Sequence, residues 1–322
     1  MGMRLTSAVL LMTAAAGCGG RTVPAIATPA APVTQEALAE LWVDPGPRAR
    51  DLFWGVGGEK FAPRPDATYT FEAKDQAGFS VSYDVRDPGG REWSAKVGPE
   101  AQTEVVVSRL LWGLGYHQPP LYYLPSWMVD EKGAPPRRES EARFRPKLPQ
   151  LTRLEDYWRW TENPFVDARE FRGLIVVLLM LNSTDLKDDN NSIYTLDQAW
   201  DGASRWFVVR DLGAALGVTG KMFPRRNWLE GFEREGFIKR VRDDGSIDFH
   251  YGGRHQELLS LIRPADLEWA AARMQRLTDA QWRDAFRAAN YPEWIADRYI
   301  RRIKQKIAEA AAAGGDRSTK SR

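Results

Sequence analysis

Three short stretches of alternating apolar and polar residues, at positions 69–71, 79–85 and 92–97, constrain the fold more than any other feature of the sequence. Each stretch is rich in β-branched and aromatic residues, and turn-forming residues separate them at 74–78 and 87–90. Alternation with a period of two, interrupted by short turns, is typical of β-hairpins. The sequence therefore predicts an antiparallel meander of three strands.

One helix and two further strands are expected directly after the meander. Pro99 is tolerated at a first helical position, and apolar residues then follow at helical spacing until Gly115. The runs at 121–128 and 142–148 are strand-like, and the segment between them is polar. The chain up to residue 148 is therefore predicted to be rich in β-structure.

The character of the sequence becomes helical after residue 148. An almost wholly apolar run at 171–181 is too long for a typical strand and predicts a buried helix. A short buried strand is expected at 206–209, and helices follow from residue 266 onward. The whole order predicts an α+β protein with a small antiparallel β-rich N-terminal lobe, residues 35–148, and a larger, mainly α-helical C-terminal lobe, residues 149–312.

Charge and cysteine content exclude several classes of protein. Lys and Arg number 45 and Asp and Glu number 43, so the net charge is only +2. A protein that binds nucleic acid through bulk electrostatics is usually more basic, and we expect no nucleic-acid partner. No apolar run reaches the roughly 18 to 20 residues needed to cross a bilayer, which excludes a multi-span membrane protein. A single cysteine excludes disulfides within the chain and metal sites built from cysteines.

That cysteine, Cys18, ends a segment that resembles a bacterial lipoprotein signal. A weakly basic start leads into a short apolar stretch that suits a secretory signal, and Ala15-Ala16-Gly17 precedes the cysteine, with Ala15 where leucine is usual. The resemblance implies a signal peptide over residues 1–18 and a lipid on Cys18 that anchors the protein to a bacterial membrane, facing the extracytoplasmic side of the cell envelope. An ordinary signal, with Cys18 incidental, is the alternative. Residues 19–34, rich in Ala, Pro and Thr, are expected to form a disordered tether, and residues 313–322 a disordered tail.

Lys96, in the third strand of the meander, stands just before the predicted helix. Glu100 and Glu104 lie four residues apart on one face of that helix, so either carboxylate could pair with the lysine. Glu100 lies in the first turn, where the helix dipole already explains an acidic residue. We therefore expect Glu104 to be the partner of Lys96.

Two polar segments follow buried elements in the second half of the chain. Asp185-Leu186-Lys187, with Asn190, comes directly after the buried helix, and Asp211-Leu212-Gly213 comes directly after the buried strand. With a strand lysine upstream, these segments resemble the catalytic loop and the magnesium-binding triplet of the protein-kinase-like superfamily. The resemblance covers roughly residues 66–220.

The resemblance implies a role for each matching residue. Asp185 would orient the attacking hydroxyl, Lys187 would neutralise the transferring phosphoryl group, Asn190 and Asp211 would hold Mg²⁺, and Lys96 would bind the inner phosphates. Backbone amides of the turn between the first two strands, from Gly78 to Ser80, could cap a phosphate.

Departures from the protein-kinase pattern indicate an atypical member. Ser183-Thr184 stands where His-Arg usually precedes the catalytic aspartate, the turn at 74–80 has one glycine rather than three, and no Ala-Pro-Glu triplet follows Asp211. These features are closer to atypical kinases of the HipA-type and lipid-kinase-like groups.

Three functions stay open from the sequence. The first is a membrane-anchored kinase-like protein that binds ATP with Mg²⁺ and is a candidate for phosphoryl transfer to an unknown acceptor. ATP is scarce outside the cytoplasm, so the second is a non-catalytic kinase-like lipoprotein that binds a partner or a glycan. The third is an enzyme of the same fold that uses another phosphorylated donor.

Overall fold

In the computed structural model, the described residues are 26–27, 31–46, 50–75, 80–220 and 226–315, and they form a mixed α+β fold. The largest sheet has seven strands: β1 (Thr68–Asp75), β2 (Ser82–Arg86), β3 (Glu92–Val97), β4 (Tyr122–Leu124), β5 (Trp127–Asp130), β6 (Arg137–Glu139) and β7 (Ala142–Pro146). Their spatial order is β4-β7-β3-β2-β1-β5-β6, and every pair is antiparallel except β1 with β5. The predicted meander is present as β1, β2 and β3.

The single strand expected at 121–128 is wrong. Two strands occupy this region, β4 at one edge of the sheet and β5 beside β1, and Pro125 lies between them. Proline has no backbone N–H and a fixed φ, so it interrupts a ladder of strand hydrogen bonds. The break sends the chain from one side of the sheet to the other.

The second half of the described chain contains five strands that the sequence signals mostly did not reveal. They are β8 (Leu151–Arg153), β9 (Asn191–Trp200), β10 (Ala203–Val209), β11 (Ile238–Val241) and β12 (Ile247–Phe249). β8, β9 and β10 form one antiparallel sheet, and β11 pairs with β12. Only the core of β10 was expected, because its residues are continuously apolar, whereas β8 and β11 are short and largely polar.

Helices make up most of the remaining regular structure. They are α1 (Gln35–Leu38), α2 (Glu100–Gly113), α3 (Arg169–Met180), α4 (Leu229–Arg234), α5 (Pro264–Gln275), α6 (Asp279–Arg287) and α7 (Glu293–Gly315). The expected buried helix is α3, whose residues from Gly173 to Met180 are all buried. Among the described residues, no helix combines the length and apolar character required for a membrane span.

Three apolar cores are present among the described residues, and α2 belongs to the largest of them. Side chains of the seven-stranded sheet, such as Tyr69, Trp93 and Phe144, enclose one core, and the helices together with β10 enclose the largest one. Because strand side chains alternate, residues beside the buried ones point away from the sheet core. Lys96 is one of these, since it neighbours the fully buried Ala95.

Candidate functional site

An open cavity of about 860 Å³ lies where the seven-stranded sheet, the start of α2 and the segments after α3 and β10 meet. Its lining includes Ser80, Lys96, Asp185, Lys187, Asn190 and Asp211. These six residues come from four separate parts of the chain, and each was singled out from the sequence. The fold therefore brings residues that are distant in sequence to one cavity.

Lys96 is held at the cavity wall by two carboxylates. Its Nζ lies 2.9 Å from Oε2 of Glu100 and also contacts Oδ1 of Asp211. Glu100 in turn accepts a hydrogen bond from Ser80 Oγ at 3.1 Å and pairs with the guanidinium of Arg226. The lysine is therefore oriented from both sides, and its ammonium group is only slightly exposed.

The expected pairing of Lys96 with Glu104 is wrong, because Glu100 takes that place. Lys96 is the last residue but one of β3, just before α2, so the first turn of the helix lies closest to it, and Glu104 is one turn further on. Glu104 is almost fully buried against β7, where its carboxylate lies 3.3 Å from Arg143 and 3.0 Å from Arg145. Burial alone would raise the pKa of Glu104, but Arg143, Lys96 and Arg145 outweigh it and lower that pKa to about 2.

The segment after α3 brings two of the predicted residues, Lys187 and Asn190, to Asp185. The Asp185 carboxylate pairs with Lys187 Nζ at 2.9 Å and with Arg254 Nε at 3.1 Å. Asn190 donates from Nδ2 to the Asp185 carbonyl oxygen at 2.9 Å, which closes the loop on itself. Arg254 comes from a distant loop, and nothing in the sequence indicated that it would join this group.

Other polar residues of the same run have structural partners. Asp188 accepts a hydrogen bond from the backbone N–H of Trp160 at 2.8 Å. Asn191 is fully buried and donates to the Trp158 carbonyl oxygen at 3.0 Å. These two side chains tie the loop to the preceding segment, so the polar run from Asp185 to Asn191 combines cavity-lining and structural positions.

The segment directly after β10 requires a left-handed backbone at Asp211 and the absence of a side chain at Gly213. Asp211 has a φ of +54°, a left-handed conformation that costs most residues free energy but that Asp and Asn tolerate best. At Gly213, an added Cβ would lie 2.5 Å from the Glu100 Cβ and 3.0 Å from its carbonyl oxygen. The glycine therefore allows the segment after β10 to pack on the start of α2, which brings Asp211 to Lys96.

The donor atoms near Asp211 fit Mg²⁺ in the way that phosphate-binding proteins use it. Mg²⁺ prefers oxygen ligands, and it commonly takes one or two protein oxygens together with phosphate oxygens and water. The Asp211 carboxylate and the Asn190 amide oxygen are ligands of this type. Within the described ranges no cluster of three His, Cys, Asp or Glu side chains suits a metal ion by itself.

Two predicted residues lie outside the described residues. Gly78 lies in the sequence between β1 and β2, within residues 76–79, and Cys18 precedes the first described residue. The loop contribution of Gly78 and the lipidation of Cys18 therefore stay predictions.

Comparison with known proteins adds a structural likeness but no family. Neither protein-family models nor the sequences of curated proteins give a match to this chain. The structure is similar to that of a Helicobacter pylori proinflammatory kinase, CtkA, with a TM-score of 0.44 and 10% identity over 78% of this chain and 97% of that chain.

Proposed function

We propose that the cavity binds a phosphorylated donor together with Mg²⁺ and transfers a phosphoryl group to a hydroxyl of an acceptor. The arrangement would be that of a protein-kinase-like fold with a β-rich and a mainly helical lobe. The observation that carries this proposal is the shared cavity of Lys96, Asp185, Asn190 and Asp211, which lie up to 115 residues apart in the chain. Functional sites typically bring ionisable side chains together in one cleft.

The cation at the cavity wall supports phosphate binding. Lys96 is fixed by Glu100 and Asp211, so its charge is already oriented before a ligand arrives. In the proposed complex Lys96 binds phosphate oxygens of the donor. Asp211 and Asn190 hold Mg²⁺, which would supply neutralisation of phosphate charge.

The second half of the site would act on the acceptor. Asp185 carries a carboxylate that can accept a hydrogen bond from an acceptor hydroxyl and orient it for attack. Lys187, 2.9 Å from that carboxylate, can stabilise the negative charge that develops on the transferred group. The acceptor would approach from the side of Arg254, whose side chain is more than half exposed.

One observation favours the alternative of a non-catalytic binding protein. Asp185 is paired with two cations, Lys187 and Arg254, and its backbone carbonyl accepts from Asn190. A carboxylate with two cationic partners is a weaker hydrogen-bond acceptor for an incoming hydroxyl than a free one. If neither pair opens when ligand binds, the protein would bind a phosphorylated partner without transfer.

The compartment bears on the choice of donor. We propose that a lipid on Cys18 anchors the protein to a bacterial membrane with the cavity on the extracytoplasmic side. The resemblance to kinases implies ATP as the donor. Because ATP is scarce outside the cytoplasm, this compartment favours another phosphorylated compound.

Two substitutions separate binding from transfer. Asp211→Asn keeps a side chain that tolerates the left-handed backbone but removes the charge, so it should abolish Mg²⁺-dependent thermal stabilisation by ATP or tripolyphosphate. Asp185→Asn should preserve that stabilisation and lower release or transfer of the terminal phosphate by roughly 100-fold or more. Asp197→Asn, on the exposed part of β9, is the matched control and should change neither.

Each result decides between the candidate functions. Loss of transfer in Asp185→Asn with binding intact supports a phosphotransferase. Binding in the wild type without transfer under any condition supports the non-catalytic alternative. An Asp211→Asn variant that binds Mg²⁺ and ligand as well as the wild type would contradict both.

A further inference from the structure

The wall of the cavity beside Lys96 carries a cluster of arginines that the proposed chemistry does not use. Arg143 and Arg145 lie on β7, Arg153 ends β8, and Arg210 directly follows β10. We call these four residues the arginine cluster. Glu104 is the one carboxylate that pairs with it, through Arg143 and Arg145, so the cluster with this glutamate carries a formal charge of +3 in the described part of the chain.

Strand register explains why the arginines face the cavity. β3 and β7 are antiparallel, with Lys96 opposite Arg143 and Ser94 opposite Arg145. Side chains of opposed residues point to the same face of a sheet. The intervening Phe144 points to the sheet core, so the alternation of β7 directs both arginines towards the lysine side.

Arg210 is the partly buried member of the cluster that forms no ion pair within the described residues. Its Nε is buried without a hydrogen-bond partner among the described residues, and its Nη1 donates a long hydrogen bond of 3.4 Å to the Ser192 hydroxyl. No described carboxylate forms an ion pair with Arg210, and buried charges without a counterion are costly.

Few apolar side chains line the cavity. Glycines aside, Ala214 is the single apolar residue among the described residues that line it. Sites for bases and other drug-sized ligands are usually lined mainly by apolar and aromatic side chains. A ligand of this cavity is therefore recognised mainly through its charges.

From these observations we infer that the arginine cluster is a second anion subsite, which binds a phosphoryl group of a compact polyphosphorylated ligand whose other phosphates lie at Lys96 and Asp211. Guanidinium groups bind phosphate through paired, charge-assisted hydrogen bonds, and a phosphoryl group here would supply acceptors and a counterion to Arg210 and its neighbours. The inference rests on the proposed function and narrows its ligand. The polyphosphate chain provides the binding, and a nucleoside attached to it adds little.

The test compares tripolyphosphate with ATP by isothermal titration calorimetry on the full chain, each with Mg²⁺. In the wild type, the affinities for the two should agree within about threefold, because the shared chain makes the contacts. Arg210→Gln should weaken tripolyphosphate binding by about tenfold or more, the usual scale for a hydrogen bond to a charged group. Arg205→Gln, an exposed arginine on β10, is the matched control and should leave binding unchanged.

Two further variants keep the test decisive if Arg210→Gln does not fold. Arg153→Gln changes an exposed side chain and should weaken binding several-fold in the same direction. Glu104→Gln removes the acidic partner and should strengthen tripolyphosphate binding and steepen its dependence on salt, which a purely structural role of Glu104 would not produce.

The outcomes distinguish this inference from the proposed function. ATP binding that is about 100-fold tighter than tripolyphosphate binding, or unchanged binding in both arginine variants, would overturn the anion subsite and leave the proposed function standing. Failure of the wild type to bind any phosphorylated compound with Mg²⁺ would overturn both.

Discussion

Replacing Lys306 by methionine should remove a pH dependence from the stability of this protein. Lys306 on α7 is fully buried, and its Nζ donates to the Met180 carbonyl oxygen at 3.1 Å and to Asn182 Oδ1 at 2.7 Å. The ammonium group also lies 4.2 Å from the centre of the Phe232 ring. Lys306 can be neutral in these surroundings, because a neutral amino group still has the N–H groups needed to donate both hydrogen bonds.

Burial, followed by the charge of Arg302, lowers the pKa of Lys306 from 10.5 to about 7, and Glu235 and Glu309 only partly oppose this. Above pH 7 the folded lysine therefore loses its proton, while the unfolded one keeps it until the pH approaches 10.5. The unfolded state then binds more protons, so the free energy of unfolding rises with pH in this window. Between pH 7 and 9 the increase from this residue is about 2 kcal/mol.

Urea unfolding at several pH values between 7 and 9 measures the effect. Other groups titrate in this range, so the informative quantity is the difference between the wild type and Lys306→Met. That difference should change by about 2 kcal/mol from pH 7 to pH 9, with the wild type gaining relative to the variant. Lys304→Met, which removes a half-exposed lysine paired with Asp279, is the control and should show no such trend. Parallel pH profiles of the wild type and Lys306→Met would refute the reasoning.

Two further predictions concern the site and the anchor. Gly213→Ala should lower the free energy of unfolding by about 1 to 3 kcal/mol, since its Cβ would overlap with the start of α2, whereas Gly220→Ala, whose Cβ has no neighbour within 4 Å, should be nearly neutral in the same urea assay. Cys18→Ser should leave an unprocessed or freely soluble protein on cell fractionation, and an unchanged membrane fraction would show that another feature holds the protein there.

Local sequence patterns were sufficient for the elements with a strong period. The meander of β1 to β3 alternates strictly between turns, and α3 is apolar beyond the length of a strand. Local patterns failed to predict strands that depend on pairing with another strand. β8 and β11 are short and polar, and each is a strand because another strand lies beside it. The break at Pro125 was visible in the sequence and should have divided the strand expected there.

The sequence predicted those residues of the candidate site that come directly after a recognisable helix or strand. Asp185 follows α3 and Asp211 follows β10, so the order of elements brought both to the cavity. Partner choice was not predictable in the same way. Glu100 rather than Glu104 meets Lys96, because the distance depends on where α2 starts. The contribution of Arg254 depends on the packing of a loop about 70 residues further along the chain.

The arginine cluster shows the same limit. Arg143 and Arg145 are two apart in a predicted strand, which places them on one face. Which face that is depends on the register of β7 against β3, and this register aligns Arg143 with Lys96. Arg143 and Arg145 therefore line the cavity because of how β7 pairs with β3, which their own strand pattern does not reveal.

The dependence of ligand binding on Mg²⁺ tests the central claim most directly. Calorimetric titration of the full chain with tripolyphosphate and with ATP, with Mg²⁺ and then with a chelator, measures that dependence. We predict saturable binding with Mg²⁺ that weakens by about tenfold or more in the chelator, because Asp211 and Asn190 contribute only through the metal. Equal affinity in both conditions, or no binding at millimolar ligand, would contradict a kinase-like site in this cavity.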